Sequence, residues 1–212
     1  MEKFKLGIYG GTFAPIHNGH VNAAECFYDE MKLDHLLIMP TFLPPHKEAA
    51  PGDNPEARLE MARLAFEGEK RNITVSDYEI KQKGKSYTYL TLRHFSSPDT
   101  DITFLCGTDM FLSFHEWKRP DEIFSLCRVA LIRREKSDAV TEEKISAAKE
   151  SYIRDYSADI REIITEPVEI SSSEIRTRIL SSRDIKNLVP AKVYDYIAAN
   201  HLYGINAAGG QK

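Results

Sequence analysis

The chain has 212 residues, 42% of them hydrophobic and 28% charged, so it is long enough for one good-sized domain with a buried core. Its formal net charge of −4 argues against non-specific binding to nucleic acid or to an anionic membrane, because both need a basic surface. It contains no signal-type apolar segment before the first glycine turn and no run of roughly 18 apolar residues, so we expect a cytoplasmic protein that is neither secreted nor membrane-spanning.

The three cysteines, Cys26, Cys106 and Cys127, are far apart and odd in number. This pattern does not suit a disulfide framework. Cys106 and Cys127 stand in or beside apolar runs, so we expect buried, reduced thiols there.

The first element is an apolar run from Phe4 to Tyr9 that suits a buried strand. Gly10 and Gly11 follow it, and two glycines let the backbone turn sharply and approach a ligand closely. We therefore expect a tight, ligand-facing turn at the end of this strand.

A helix is predicted from Gly19 to about Met31, with Asn18 as its cap. Free backbone N–H groups at a helix start favour an anion. His17 and His20 are three residues apart, which places both rings on one side of a helical turn. A strand, a glycine turn, a helix N-terminus and two imidazoles together predict a phosphate site.

Leu36–Met39 reads as a second buried strand, so the chain opens with a βαβ unit and a parallel sheet. Further strands are expected at Ile73–Val75, Ile102–Cys106, Arg128–Ile132, Ile163–Ile164 and Val168–Ile170. Further helices are expected at about Asn54–Phe66, Thr88–Phe95, Met110–His115, Thr141–Tyr156, Glu174–Leu180 and Pro190–Ala199. This alternation predicts an α/β fold, a Rossmann-like open parallel sheet with helices on both faces. We expect a single domain over residues 1–206, with a small helical C-terminal part at about 171–203 and a disordered tail at 207–212.

Several polar or aromatic residues follow the predicted strands, at the sheet edge where ligands bind in such folds. Lys47 could reach a phosphate or could simply be solvated. Gly107 and Asp109 suit contacts to a ribose, or an ordinary helix-capping turn. Trp117, the only tryptophan, suits either core packing or stacking on a ligand ring.

A serine-rich segment, Ile170–Arg176, leads into the helix predicted at Glu174–Leu180. Its serines predict an N-cap. Arg176 stands in the first turn, where the positive end of the helix dipole disfavours a cation. An anion bound by the serine hydroxyls and backbone N–H groups would explain that arginine, although an ordinary N-cap fits the spacing as well.

These residues also resemble a known family. GGTFAPIHNGH at Gly10–His20 resembles the GGTFDPxHxGH signature of the HxGH nucleotidyltransferases, and ISSSEIR at Ile170–Arg176 resembles their second signature, ISSTxIR. Four further segments follow the order seen in the bacterial nicotinate mononucleotide adenylyltransferases: Pro44-Pro45-His46-Lys47, Ser86-Tyr87-Thr88, Gly107-Thr108-Asp109-Met110 and Trp117. The resemblance extends from Leu6 to Tyr203.

The resemblance implies transfer of the adenylyl group of ATP to nicotinate mononucleotide, which gives deamido-NAD and pyrophosphate in NAD biosynthesis. It also implies Mg²⁺, bound mainly through the ATP phosphates, since no acidic metal pair is evident in the sequence. The attacking phosphate oxygen is already anionic, so no general base is required. The site has to align two polyanions and neutralise charge at the α-phosphate.

The resemblance also implies roles for individual residues. The expected catalytic residues are His17, His20, Lys47 and Arg176. The expected ATP and phosphate contacts are Gly10, Gly11, Thr12, Phe13, Ser172, Ser173, Gly107 and Asp109. The expected mononucleotide contacts are Lys47, Thr88 and Trp117, with Trp117 stacked on the pyridine ring and Thr88 near its carboxylate.

Three positions depart from the family pattern: Ala14 replaces an Asp, Leu90 stands where an acid is common, and Lys118 stands where Tyr is frequent. The last two bear on substrate preference. Three alternatives remain open: the same chemistry on nicotinamide mononucleotide, the same chemistry on pantetheine phosphate, and a catalytically inactive nucleotide-binding module. The intact histidines, Lys47 and Arg176 argue against the last. Assembly into a homo-oligomer is also open.

Overall fold

A single parallel sheet organises the structure, a computed structural model that describes residues 2–45, 54–133, 138–165, 168 and 170–204. Its strands are β1 (Phe4–Gly11), β2 (His35–Pro40), β3 (Ile73–Val75), β4 (Thr100–Gly107), β5 (Arg128–Arg133) and β6 (Ile160–Ile164). The order across the sheet is β3-β2-β1-β4-β5-β6, and every pairing is parallel. The predicted Rossmann-like α/β fold is confirmed.

Helices connect these strands along the chain. They are α1 (Asn18–Glu30), α2 (Pro55–Ala65), α3 (Tyr78–Gln82), α4 (Thr88–Phe95), α5 (Thr108–Leu112), α6 (Pro120–Leu126), α7 (Ala139–Tyr156), α8 (Ser172–Leu180) and α9 (Ala191–Ala199), with 3₁₀ turns at Phe114–Glu116 and Leu202–Gly204. Within the described ranges, none of these helices is both long and apolar enough to span a membrane.

The core has two layers, one on each face of the sheet. Successive strand residues point to opposite faces, so Tyr9 of β1 joins one layer while Ile8 joins the other. The first layer contains the buried faces of α1, α2, α8 and α9, and the second those of α4, α5, α6 and α7. The C-terminal part therefore shares the core of the first layer. The extent of the single domain stays a prediction.

The chain reverses its direction of travel across the sheet between β1 and β4. From β1 it proceeds outward through β2 to β3, and from β4 outward on the other side through β5 to β6. The loops after β1 and β4 thus diverge to opposite faces and leave a crevice at the carboxyl edge. Open α/β sheets bind their ligands at such a point.

The structure differs from the sequence prediction at three elements. The predicted strand at Val168–Ile170 is wrong: Val168 and Ile170 lie outside any strand, and the Ile170 N–H donates to the Val168 carbonyl at 2.9 Å. Helices α3 and α6 were not predicted. Pro120 starts α6, where its missing N–H costs nothing. The predicted tail at 207–212 lies outside the described residues.

Candidate active site

A cavity of about 410 Å³ lies where the loops after β1 and β4 diverge. Among the predicted site residues, its lining includes Gly10, Gly11, Thr12, Thr88, Asp109 and Trp117. The structure therefore brings together the glycine turn, the expected ribose contact and the expected ring contacts. Lys47 lies outside the described residues, so its role stays a prediction.

The turn after β1 requires glycine at position 11. A Cβ atom on Gly11 would lie 2.8 Å from Cζ of Phe13, well inside contact distance. Phe13 has a left-handed backbone (φ 51°) and a buried ring that meets the ring of His20 edge-on, with 5.0 Å between centroids. Its side chain thus supports His20 from within the core, and only its backbone is left for the predicted phosphate contact.

His17 and His20 form one compact unit at the start of α1. Their rings stack with 3.6 Å between centroids and an angle of 28°. Each side chain faces the backbone N–H of the other in a capping-box arrangement, and the N–H of His17 donates to Nδ1 of His20 at 3.3 Å. Because Nδ1 accepts, neutral His20 carries its proton on Nε2 and presents an N–H donor there.

The helix cap is therefore His17, and the prediction of Asn18 as the cap is wrong. Asn18 is the first helical residue, and it faces the C-terminal part of the chain instead. Its backbone N–H donates to the Leu188 carbonyl at 2.9 Å, and its side chain donates to the Asn187 carbonyl at 3.0 Å. Asn18 thus fixes the start of α1 against the loop before α9.

The second signature segment lies directly against the first. Ser171 caps α8, its hydroxyl accepting from the Glu174 N–H at 3.1 Å, which confirms the serine cap. The Ser172 hydroxyl donates to the Pro15 carbonyl at 2.9 Å. Arg176 donates to the Ala14 carbonyl at 2.7 Å and to the Ser173 hydroxyl at 3.1 Å.

Because α8 begins at Ser172, Arg176 is its fifth residue and lies beyond the first turn, so the prediction that placed it in the first turn is wrong. Its guanidinium holds the loop before α1 instead. The start of α8 therefore lies beside the histidine pair, some 150 residues away in sequence. His17, His20 and the α8 residues do not belong to the cavity lining as described. The glycine turn joins that lining to the histidine and α8 cluster.

Part of the cavity lining is aromatic. Trp117 stacks on the buried ring of Phe114, with 4.4 Å between centroids and an angle of 15°, and its indole N–H donates to the Ser113 hydroxyl at 3.4 Å. Trp117 also lines the cavity, so a flat ligand ring could stack against its cavity side. Thr88, the first residue of α4, lines the same cavity.

Two buried charged residues of the site were not predicted. Arg58 of α2 has no exposed surface and donates to the carbonyls of Thr12 (2.8 Å), Thr41 (2.7 Å) and Phe42 (3.0 Å). It therefore ties the loop after β1 to the loop after β2. A charged position beside apolar ones on an amphipathic helix was the only sequence signal, and it does not distinguish a buried arginine from a solvated one.

The second such residue is Glu79, a buried side chain that lines the cavity. Burial raises the pKa of its carboxyl group, and the hydroxyls of Thr91 and Ser86 partly oppose that rise. The Thr91 hydroxyl donates to Oε1 at 2.6 Å. The Ser86 hydroxyl also accepts from the Phe42 N–H at 3.0 Å, so the segment before Thr88 is tied to the loop after β2.

The cysteines confirm the expectation made for them. All three are free thiols, and Cys106 and Cys127 are buried. Burial raises the pKa of both buried thiols, so they stay protonated.

The fold and the site define a nucleotidyltransferase of the cytidylyltransferase-like class, and the profile of that family matches residues 8–178. Two relatives with high sequence similarity carry a more specific enzyme name than the family profile does. A probable nicotinate-nucleotide adenylyltransferase of Clostridium botulinum (strain Kyoto / Type A2) is 38% identical over 198 residues, which cover 92% of this chain and 97% of the relative. Its counterpart in Clostridium acetobutylicum is 37% identical over 201 residues, with 94% and 98% covered. The chain belongs to the nicotinate-nucleotide adenylyltransferase family.

Solved structures support the same fold at lower sequence identity. The nicotinic acid mononucleotide adenylyltransferase of Plasmodium falciparum, complexed with APC, superposes with a TM-score of 0.74 at 19% identity and covers 97% of this chain and 100% of its own. The complex of that enzyme with NaAD gives a TM-score of 0.73, also at 19% identity, with 96% and 98% covered. At such identities the likeness establishes the shared fold.

Proposed function

We propose that the protein transfers the adenylyl group of ATP to nicotinate mononucleotide, giving deamido-NAD and pyrophosphate. An oxygen of the mononucleotide phosphate attacks the α-phosphorus of ATP and forms a new P–O bond. The bond from the α-phosphorus to the oxygen bridging to the β-phosphate breaks, and pyrophosphate leaves with that electron pair. The nucleophile is already anionic, so the step needs alignment and charge stabilisation more than a base.

One observation carries this proposal. One cavity is lined both by the glycine turn of Gly10–Thr12 and by Thr88 and Trp117. A ring stacked on Trp117 would direct its ribose phosphate toward the turn, where the histidine pair and the start of α8 lie. Relatives named for this reaction match almost the whole chain, and the Plasmodium falciparum neighbours are complexes with APC and with NaAD.

The phosphate half of the site would consist of the histidine pair and the start of α8. The Nε2–H of His20 would donate to phosphate oxygens that gain charge as pyrophosphate leaves, and the ring of His17 fixes that of His20 by stacking. Arg176 would contact the ATP phosphates beside the loop that it already holds, together with Ser173, whose hydroxyl accepts from Arg176. Lys47 would add a further positive charge.

The nucleotide half would consist of the residues around the cavity. Trp117 would stack on the pyridine ring and Thr88 would lie near its carboxylate. Gly107 precedes α5 and Asp109 stands in its first turn, with its side chain exposed at the cavity, where it would accept from a ribose hydroxyl.

The donor set of the chain fits a magnesium ion carried by the substrate. Among the described residues, no three His, Cys, Asp or Glu side chains cluster as metal ligands. Mg²⁺ commonly keeps several waters and binds through one carboxylate and substrate phosphates, and Asp109 is a carboxylate available at the cavity. When bound, the ion would neutralise charge on the triphosphate.

The proposal is tested by incubating purified protein with ATP, Mg²⁺ and nicotinate mononucleotide and measuring pyrophosphate release and deamido-NAD. We expect both products in equal amounts. ATP binding without turnover would instead support the inactive-module alternative. Turnover with nicotinamide mononucleotide or pantetheine phosphate in place of the acid would support the alternatives that share the chemistry.

A further inference from the structure

Among the charged side chains of the described cavity lining, all but one are acidic. That lining carries three carboxyl side chains, those of Glu79, Asp109 and Glu116, and one basic side chain, that of Lys118. Opposite charges attract and like charges repel over the few ångströms inside such a cavity. An anionic group on a ligand would therefore be favoured near Lys118 and disfavoured near the three acids.

Lys118 lies between the segment of Trp117 and the segment of Thr88, which both line the cavity. It directly follows Trp117, and its Nζ lies 4.5 Å from the ring centroid of Tyr87, a cation–π contact with the residue before Thr88. This contact draws the ammonium from the Trp117 segment toward the start of α4. None of the ion pairs formed between described residues involves Lys118, although Arg119 beside it pairs with Glu122 at 3.0 Å. Its charge is thus available to a ligand in the cavity.

We propose that Lys118 is a specificity-determining residue, which selects a mononucleotide with a carboxylate on its ring over one with an amide. This inference rests on the proposed function, in which the ring stacks on Trp117. The acid and the amide share the same ribose and phosphate, so the ring substituent alone distinguishes them. An ammonium attracts a carboxylate more strongly than a neutral amide, and a charge-assisted contact is about twice as strong as a neutral one.

The experiment measures the dissociation constants of nicotinate and nicotinamide mononucleotide by quenching of the fluorescence of Trp117, the single tryptophan. The proteins are the wild type, Lys118→Met, Lys118→Arg and Lys85→Met. Lys85 is an exposed lysine one residue before Ser86 that is not part of the described cavity lining, so it controls for general charge. Methionine keeps the length of the lysine stem without its charge, and arginine keeps the charge.

We expect Lys118→Met to weaken binding of the acid about tenfold, the size of one charge-assisted hydrogen bond, and to change binding of the amide less than about twofold. Lys118→Arg and Lys85→Met should keep the wild-type preference for the acid. An equal loss for both ligands would overturn the inference, because it would place Lys118 on the shared phosphate. An unchanged ratio in Lys118→Met, or no quenching of wild-type fluorescence by either ligand, would overturn it as well.

The inference and the proposed function fail separately. Binding needs no turnover, so a protein that discriminates between the ligands through Lys118 but releases no pyrophosphate would disprove the function alone. A protein that forms deamido-NAD while Lys118→Met keeps its full preference would disprove the inference alone.

Discussion

At the residue scale, His20 has two ring nitrogens with different tasks. Nδ1 accepts from the His17 N–H and helps to start α1, so the ring proton of neutral His20 is on Nε2, the nitrogen that we propose as a donor to phosphate. Two substitutions separate these tasks. Asparagine can offer an oxygen near the position of Nδ1, and glutamine can offer an N–H near the position of Nε2.

We expect His20→Ala and His20→Asn to lower kcat about 100-fold, as for loss of one transition-state donor, while His20→Gln keeps part of the activity. Steady-state kinetics of pyrophosphate release measure this, and circular dichroism checks the fold. A His20→Asn protein with normal kcat would remove the Nε2–H from the mechanism.

Glu79 is the residue whose burial gives a pH-dependent stability. Burial raises the pKa of its carboxyl group above the ordinary value of 4.5, so the folded state retains a proton that the unfolded state has released. Stability due to this group is therefore complete below the ordinary pKa and is lost as the pH rises through the raised pKa. Glutamine lacks the charge but can still accept from the Thr91 hydroxyl.

Glu79→Gln should therefore raise the melting temperature relative to the wild type at pH about 8, and the difference should shrink as the pH falls toward about 4. Thermal unfolding at several pH values measures this. Glu143→Gln, at an exposed position of α7, is the control and should show no such trend. A constant offset at every pH would contradict the account of Glu79 as a buried acid.

At the element scale, Arg58 connects two loops that belong to different βα units. Its guanidinium has three carbonyl partners in those loops, and lysine cannot reproduce its planar fork. We expect Arg58→Lys to lower kcat/KM about tenfold, because small displacements of positioning groups are costly. Arg58→Met should lower the free energy of unfolding by about 3 kcal/mol, because buried carbonyls lose their donors.

Kinetics and urea denaturation measure the two effects of changing Arg58. Arg63→Lys is a matched control on the same helix, since that side chain is 48% exposed and belongs to surface ion pairs. Its effects on both quantities should be small. If Arg58→Lys kept full kcat/KM despite a lower stability, Arg58 would have a structural role only.

The elements also show what sequence periodicity could and could not predict. The apolar runs of β1, β2, β4 and β5 and the amphipathic pattern of α2 identified those elements because each buries a regular set of side chains. Helix α6 has only seven residues, too few for a periodic signal. In the sequence, the proline that starts it suggests the end of an element rather than the beginning of a helix. Val168 and Ile170 alternate as in a strand, yet they lie outside any strand and their apolar side chains are only partly buried.

The same limit applies to the site. The two signature segments could be assigned because their glycines, serines and histidines stand together in sequence. Arg58 and Glu79 could not, because their partners belong to loops that meet only after the sheet forms. A buried charge is recognised by the carbonyls and hydroxyls that surround it, and those partners are distant in the chain.

At the scale of the whole molecule, the site draws on both core layers. Helix α8 belongs to the layer that contains Phe13 and Ile16, whereas Phe114 beneath Trp117 belongs to the opposite layer. Among the described residues, the glycine turn that ends β1 links the two halves. Binding of ATP and binding of the mononucleotide should therefore be separable by mutation, with little coupling between the two sets of contacts.

Trp117→Ala and Ser173→Ala test this separation. Loss of ring stacking should raise KM for the mononucleotide about tenfold or more with little change for ATP. Loss of the Ser173 hydroxyl should raise KM for ATP about tenfold, as for one hydrogen bond to a charged group. The effects in the double variant should add in free energy within about 0.5 kcal/mol, since the two residues share no described contact. The KM values of the three variants are obtained from initial rates with each substrate varied in turn. Melting temperatures report the stability that is lost when Trp117 no longer packs on Phe114. If Trp117→Ala raised both KM values equally, the stacking role of Trp117 would be wrong. If the double variant departed strongly from additivity, the two halves would form one coupled unit.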